Sequence, residues 1–143
     1  MTTDKTQYAR GETVRFTFVQ LNKSSHACNV AVGPSCYAPG VEVKAEGPDG
    51  SYQTSDGFYW ASYYMGVNDC PNHPPETTTL APGQSYKKVI DWDQKGCLPA
   101  PAADCRNTYD TQAPPGDYTA AATWYVSPQL GHLYSPYHQF HIG

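Results

Sequence analysis

Charge is what this sequence has least of. Asp, Glu, Lys and Arg make up 15% of its 143 residues, and the net charge is −4. Lys87 and Lys88 are its one adjacent pair of cations. No basic stripe exists to neutralise a phosphate backbone or an anionic bilayer, so neither nucleic acid nor membrane insertion is expected. Long apolar runs are missing too: nothing approaches the roughly 20 residues of a transmembrane helix. No basic-then-apolar stretch opens the chain, so no signal peptide is expected within it. No G-x-S-x-G elbow and no phosphate-cradling glycine loop occurs, so the chain reads as non-catalytic and without a cofactor. No C-x-x-C spacing marks a zinc knuckle or redox pair.

What the chain does have is punctuation and aromatic bulk. Thirteen prolines and twelve glycines interrupt it too often for long helices, and twelve tyrosines, three tryptophans and four phenylalanines suit pleated, half-buried surfaces. Residues 13–21 (TVRFTFVQL) alternate with period two: Val14, Phe16 and Phe18 on one side, Arg15 and Thr17 on the other. Residues 41–46 repeat the pattern, and a Gly-Pro-Asp-Gly turn follows at 47–50. The run 58–65 (FYWASYYM) is a strand with rings on both faces. Residues 77–80 form a short strand that turns at Ala81-Pro82-Gly83-Gln84 into residues 85–92. There Tyr86, Ile90 and Trp92 share a face with Lys88, which must snorkel or sit near an edge. Residues 93–115 are a long Pro- and Ala-rich connection, 117–125 a strand, 127–135 a loop and 136–142 the last strand. Seven to nine short strands with turns between them indicate an all-β, immunoglobulin-like antiparallel Greek-key sandwich, one domain over residues 1–143. Gly116-Asp117-Tyr118 at the head of a late strand is the local mark of a tyrosine corner.

Five cysteines bear on the compartment. Cys28 and Cys36 share a spacing with Cys97 and Cys105, each pair spanning a proline-containing loop, which favours two short disulfides and leaves Cys70 over. Other pairings of the five remain open. Disulfides persist outside a reducing cytosol, so an extracellular or periplasmic setting is expected.

Three segments, GETVRFTFVQLN, LAPGQSYKKVIDW and PPGDYTAAATW, are together similar to the intracellular proteinase inhibitor (BsuPI-like) family. The resemblance spans about half of the chain and rests on Leu80, Pro82, Gly83, Trp92, Pro115, Gly116 and Tyr118. It implies an immunoglobulin-like fold, and proteinase inhibition as one candidate activity. The cysteines and the insert at 97–105 depart from an intracellular inhibitor.

Candidate sites follow from side-chain chemistry. Tyr59, Trp60, Tyr63, Tyr64, Tyr134 and Tyr137 can form an aromatic platform for stacking, as in carbohydrate-binding sandwiches. His132, His138 and His141 are imidazoles of the kind zinc and copper prefer. On one strand, however, His138 and His141 point to opposite faces, so no metal is expected. Asp91 and Asp93 flank Trp92 on one face as a calcium candidate, and Asn22-Lys23-Ser24 is an N-glycosylation sequon. The preferred reading is a non-catalytic extracytoplasmic module whose loops meet a protein or polysaccharide partner. The alternatives are a proteinase inhibitor, a glycan- or histidine-based metal-binding domain, and a structural domain of a surface protein.

Overall fold

The computed structural model describes residues 1–33, 40–45, 75–96, 111–127 and 131–143. They hold twelve strands and no helix: β1 Thr2–Thr3, β2 Gln7–Tyr8, β3 Val14–Leu21, β4 Cys28–Gly33, β5 Gly40–Ala45, β6 Glu76–Leu80, β7 Ser85–Trp92, β8 Lys95–Gly96, β9 Thr111–Gln112, β10 Gly116–Ser127, β11 Gly131–Tyr134 and β12 His138–Ile142. One sheet has the order β1-β3-β7. In the other, β10 pairs with β5 along one edge and with β12 and then β11 along the opposite edge, and β2 lies outside β12. All these pairs are antiparallel except β2 with β12. Successive strands β1 and β2 thus belong to different sheets, and the chain crosses between them at 4–6. This is an immunoglobulin-like β-sandwich.

Alternation builds the core. On β3, Val14, Phe16 and Phe18 are buried, and their partners across the ladder are Trp92, Ile90 and Lys88. From the facing sheet come Tyr8, Val41, Val43, Tyr118, Ala120, Phe140 and Ile142. Phe140 is the hub: Tyr118 stacks on it at 5.7 Å between centroids, while Tyr8, Phe16 and Trp92 approach at steep angles. Offset-stacked and edge-on rings are the arrangements the aromatic quadrupole favours.

The turns are fixed by their residues. Gln84 N–H donates to the Ala81 carbonyl at 2.9 Å, and Gly83 sits at φ +78 after Pro82, a type II turn that needs glycine in that place. The Tyr118 hydroxyl donates to the Pro114 carbonyl at 2.6 Å, forming the corner expected of Gly116-Asp117-Tyr118. Past β7, Gln94 adopts φ +58 and is fully buried. Its amide nitrogen donates to the Ala9 carbonyl (2.8 Å) and its oxygen accepts from Gly11 N–H (2.6 Å). One side chain therefore ties the turn before β3 to the end of β7.

Several elements differ from the sequence expectation. Residues 28–33, read as the start of a disulfide loop, are strand β4, which pairs with β6. Cys28 begins this strand as a free thiol, and the Cys36 expected to pair with it lies outside the described residues. Residues 131–134, read as loop, are β11. The long connection after Asp93 is pinched at its base by backbone pairing of β8 with β9. Cys36, Cys70, Cys97, Cys105 and the aromatic run at 58–65 lie outside the described residues.

Candidate functional site

The edge of β10 that pairs with β11 and then β12 contains a register change. Thr123 pairs with Tyr134 and Ala120 with His138, so three residues (Ser135, Pro136, Tyr137) face two (Ala121, Ala122). This is a β-bulge, a device that re-aims side chains. Pro136 lacks an N–H and suits such a break. Ser135 staples it: its N–H donates to the Ala122 carbonyl (2.8 Å), and its Oγ accepts from Ala122 N–H (2.9 Å).

The bulge matters for the tyrosines. Residues three apart on a regular strand lie on opposite faces. Tyr134 stands opposite Thr123 on the outer face, whereas His138 stands opposite the inward-facing Ala120. The extra residue restores Tyr137 to the outer side, and both rings are about half exposed, at 50% and 47%. Of the six aromatic residues expected to form a platform, these two are brought to one side. Tyr59, Trp60, Tyr63 and Tyr64 lie outside the described residues.

The same outer face carries a row the sequence did not mark. Along β10, Thr119, Ala121 and Thr123 point away from the core yet are buried, and the hydroxyls of Thr119 and Thr123 have no hydrogen-bond partner among the described residues. At the row's end, Asp117 and His141 face each other across the ladder, with Oδ1 and Nδ1 2.7 Å apart. A buried hydroxyl without a partner is unusual enough to signal a constraint beyond packing. Its sequence sign was a threonine at every fourth position within an alanine-rich strand.

His138 and His141 do not converge. His138 points inward, its Nε2 2.7 Å from Thr3 Oγ1, while His141 points outward to Asp117. His132 lies on β11. Among the described residues no three metal-ligating side chains come together. Asp91 and Asp93 form no calcium site either. Asp91 is held bidentately by Arg15 at 2.7 and 2.8 Å, and this pairing lowers its pKa, while Asp93 accepts from Lys95 N–H. The sequon is structural: Asn22 is buried, and its amide nitrogen donates to the carbonyls of His26 (2.8 Å) and Leu80 (2.9 Å). Both amide hydrogens are committed, so a glycan there requires the corner to open.

No protein-family model matches the chain, and no curated protein matches it. A solved structure that superposes on it is Pseudomonas fluorescens alkylpurine DNA glycosylase AlkC bound to DNA containing an abasic site analog. The match has a TM-score of 0.49 and 7% identity, and it covers 99% of this chain and 28% of that one. This chain thus spans little more than a quarter of the glycosylase. The expected partner assignment, protein or polysaccharide with nucleic acid ruled out, does not stand, because the matched protein is a DNA-bound one. The exclusion is withdrawn, and a likeness this distant assigns no partner to the present chain.

Proposed function

We propose that this chain is a non-catalytic recognition module that works outside the cytoplasm and offers an aromatic contact surface at the β11–β12 bulge. The observation that carries the proposal is the placing of Tyr134 and Tyr137 on one side by a bulge that Ser135 staples to β10. Rings presented from a stapled backbone lose little entropy on docking, which suits recognition. Support for the compartment is the count of five cysteines. The frame carries the turn and corner residues on which the resemblance to the intracellular proteinase inhibitor family rests.

The test is retention on a panel of immobilised polysaccharides, single- and double-stranded DNA, and RNA, which also decides the partner class. Replacing both Tyr134 and Tyr137 with Ala is expected to weaken retention by about tenfold or more, equivalent to about 1.4 kcal/mol, with the melting temperature unchanged. Retention equal to that of the parent protein would rule the surface out.

A further inference from the structure

We propose that Ser135 and Pro136 form a register lock that decides which side of the sheet Tyr134 takes, and so whether it stands beside Tyr137. The consequence for recognition rests on the contact surface proposed above, while the lock itself does not. Backbone direction sets the problem. His141 N–H donates to the Thr6 carbonyl, so His141 turns its backbone toward β2. Backbone groups alternate in direction along an antiparallel strand, so Ile142, Phe140 and His138 turn theirs toward Gly116, Tyr118 and Ala120 of β10. The same phase carried one step further sets Pro136 opposite Ala122 and calls for an N–H that proline lacks. Uninterrupted pairing fails in that slot. Ser135 fills it: its N–H donates to the Ala122 carbonyl, and its Oγ accepts from Ala122 N–H at 2.9 Å. The hydroxyl proton goes to the Pro136 carbonyl, also at 2.9 Å. A side-chain oxygen thus replaces a ladder carbonyl. Ala122 is fully buried, so its N–H has no recourse to water.

The lock reaches the side chains because a strand has period two, and a slip by one residue exchanges its faces. β12 is fixed, since Phe140 and Ile142 belong to the core. Pairing that ran on from His138 without the extra residue would carry Tyr134 from Thr123 to Trp124, the present partner of Leu133. Trp124 lies on the inward side of β10 with Tyr118 and Ala120, and its ring meets Phe18 of the facing sheet at 5.7 Å. Tyr134 would follow it inward. Tyr137, one step from the His138–Ala120 pair, faces Ala121 and stays outside in both registers. One inserted residue therefore decides whether the outer face holds two rings or one.

The experiment is NMR on the whole chain, reading cross-strand contacts and amide exchange. Ala122 bonds across this edge, so Thr123 and Tyr134 are the close, non-hydrogen-bonded kind of pair, with Cα atoms about 4.5 Å apart and Hα protons in contact. Ser135→Ala combined with Pro136→Val removes both halves of the lock. It is expected to move the Thr123 Hα contact from Tyr134 to residue 135, and to lower retention on the panel above as far as Tyr134→Ala does. Ser135→Ala alone keeps the proline, so the contact is expected to stay with Tyr134 while exchange at the Ala122 amide speeds up severalfold. Ser135→Thr keeps the oxygen and is expected to restore that protection. A contact that stays with Tyr134 in the folded double variant overturns the lock. An Ala122 amide that exchanges no faster in Ser135→Ala overturns it too, and that comparison decides even if the double variant does not fold. Both readouts need no ligand, so a failed retention test counts against the contact surface and not against the lock.

Discussion

At the scale of single residues, the informative side chains are those whose polar atoms are buried. Tyr118 spends its hydroxyl on the Pro114 carbonyl, while the hydroxyl of Thr119 next to it on β10 has no partner among the described residues. The two therefore respond in opposite directions to loss of the oxygen. Tyr118→Phe is expected to cost about 1 kcal/mol, the net worth of an ordinary hydrogen bond, and to leave the Pro114 carbonyl without this donor. Thr119→Val keeps shape and strand preference while removing an unpaired buried hydroxyl, so it is expected to stabilise the fold by about 1 kcal/mol. Urea denaturation of both variants checks the pair of signs. If Thr119→Val destabilises instead, its hydroxyl has a partner that the static structure does not reveal.

At the scale of elements, the joint at Asn22 holds two strand pairs in one continuous ribbon. β3 pairs with β7 and β4 with β6, and the passage from one pair to the other runs through Asn22 and the Pro82-Gly83 turn. Asn22 donates to the Leu80 carbonyl at the end of β6 and accepts from Ser24 N–H at 2.9 Å. Asn22→Ala strips a buried carbonyl of its donor, an expected loss of about 1–3 kcal/mol. Asn22→Asp should fare no better, because it cannot donate. Thermal melts of the two variants test whether donation, and not size, is what the corner needs. The sequence marked this place as a glycosylation sequon, since three letters carry no sign of burial. It marked β3, β7 and β10 well, because each has one apolar face at period two. β1 and β2 were illegible, because two-residue strands are too short to show a period. β4 was hidden by the spacing of Cys28 and Cys36, which suggested a loop where CNVAVG is strand. The bulge at Ser135 was equally silent, since a register shift is a relation between two strands. Tyr134 and Tyr137 could thus be named as candidates from sequence, but not placed on one face.

For the whole molecule, the strap at 1–8 joins the two sheets, and its chemistry makes alkaline pH a probe of the fold. The Tyr8 ring packs on Phe140 while its hydroxyl donates to Asp4 Oδ1 at 2.7 Å; burial first, and then the Asp4 carboxylate, push its pKa up to about 12. Burial pushes Tyr118, whose ring also packs on Phe140, to about 12 as well. In the unfolded chain both titrate near 10.0, so above that pH the unfolded state releases protons that the folded state keeps. The stability these groups contribute is complete below pH 10 and is lost as pH rises through 12. Lys88 works in the other direction: burial lowers its pKa, so deprotonation toward 10.5 relieves a desolvated charge. With two tyrosines against one lysine, the urea midpoint is expected to fall between pH 10 and 12. Tyr118→Phe should flatten that fall even though it lowers stability at neutral pH, because the phenol that must stay protonated is gone. A slope unchanged in Tyr118→Phe would mean that the alkaline loss arises elsewhere, with Tyr8 and its contact to Asp4 next to be tested by Tyr8→Phe.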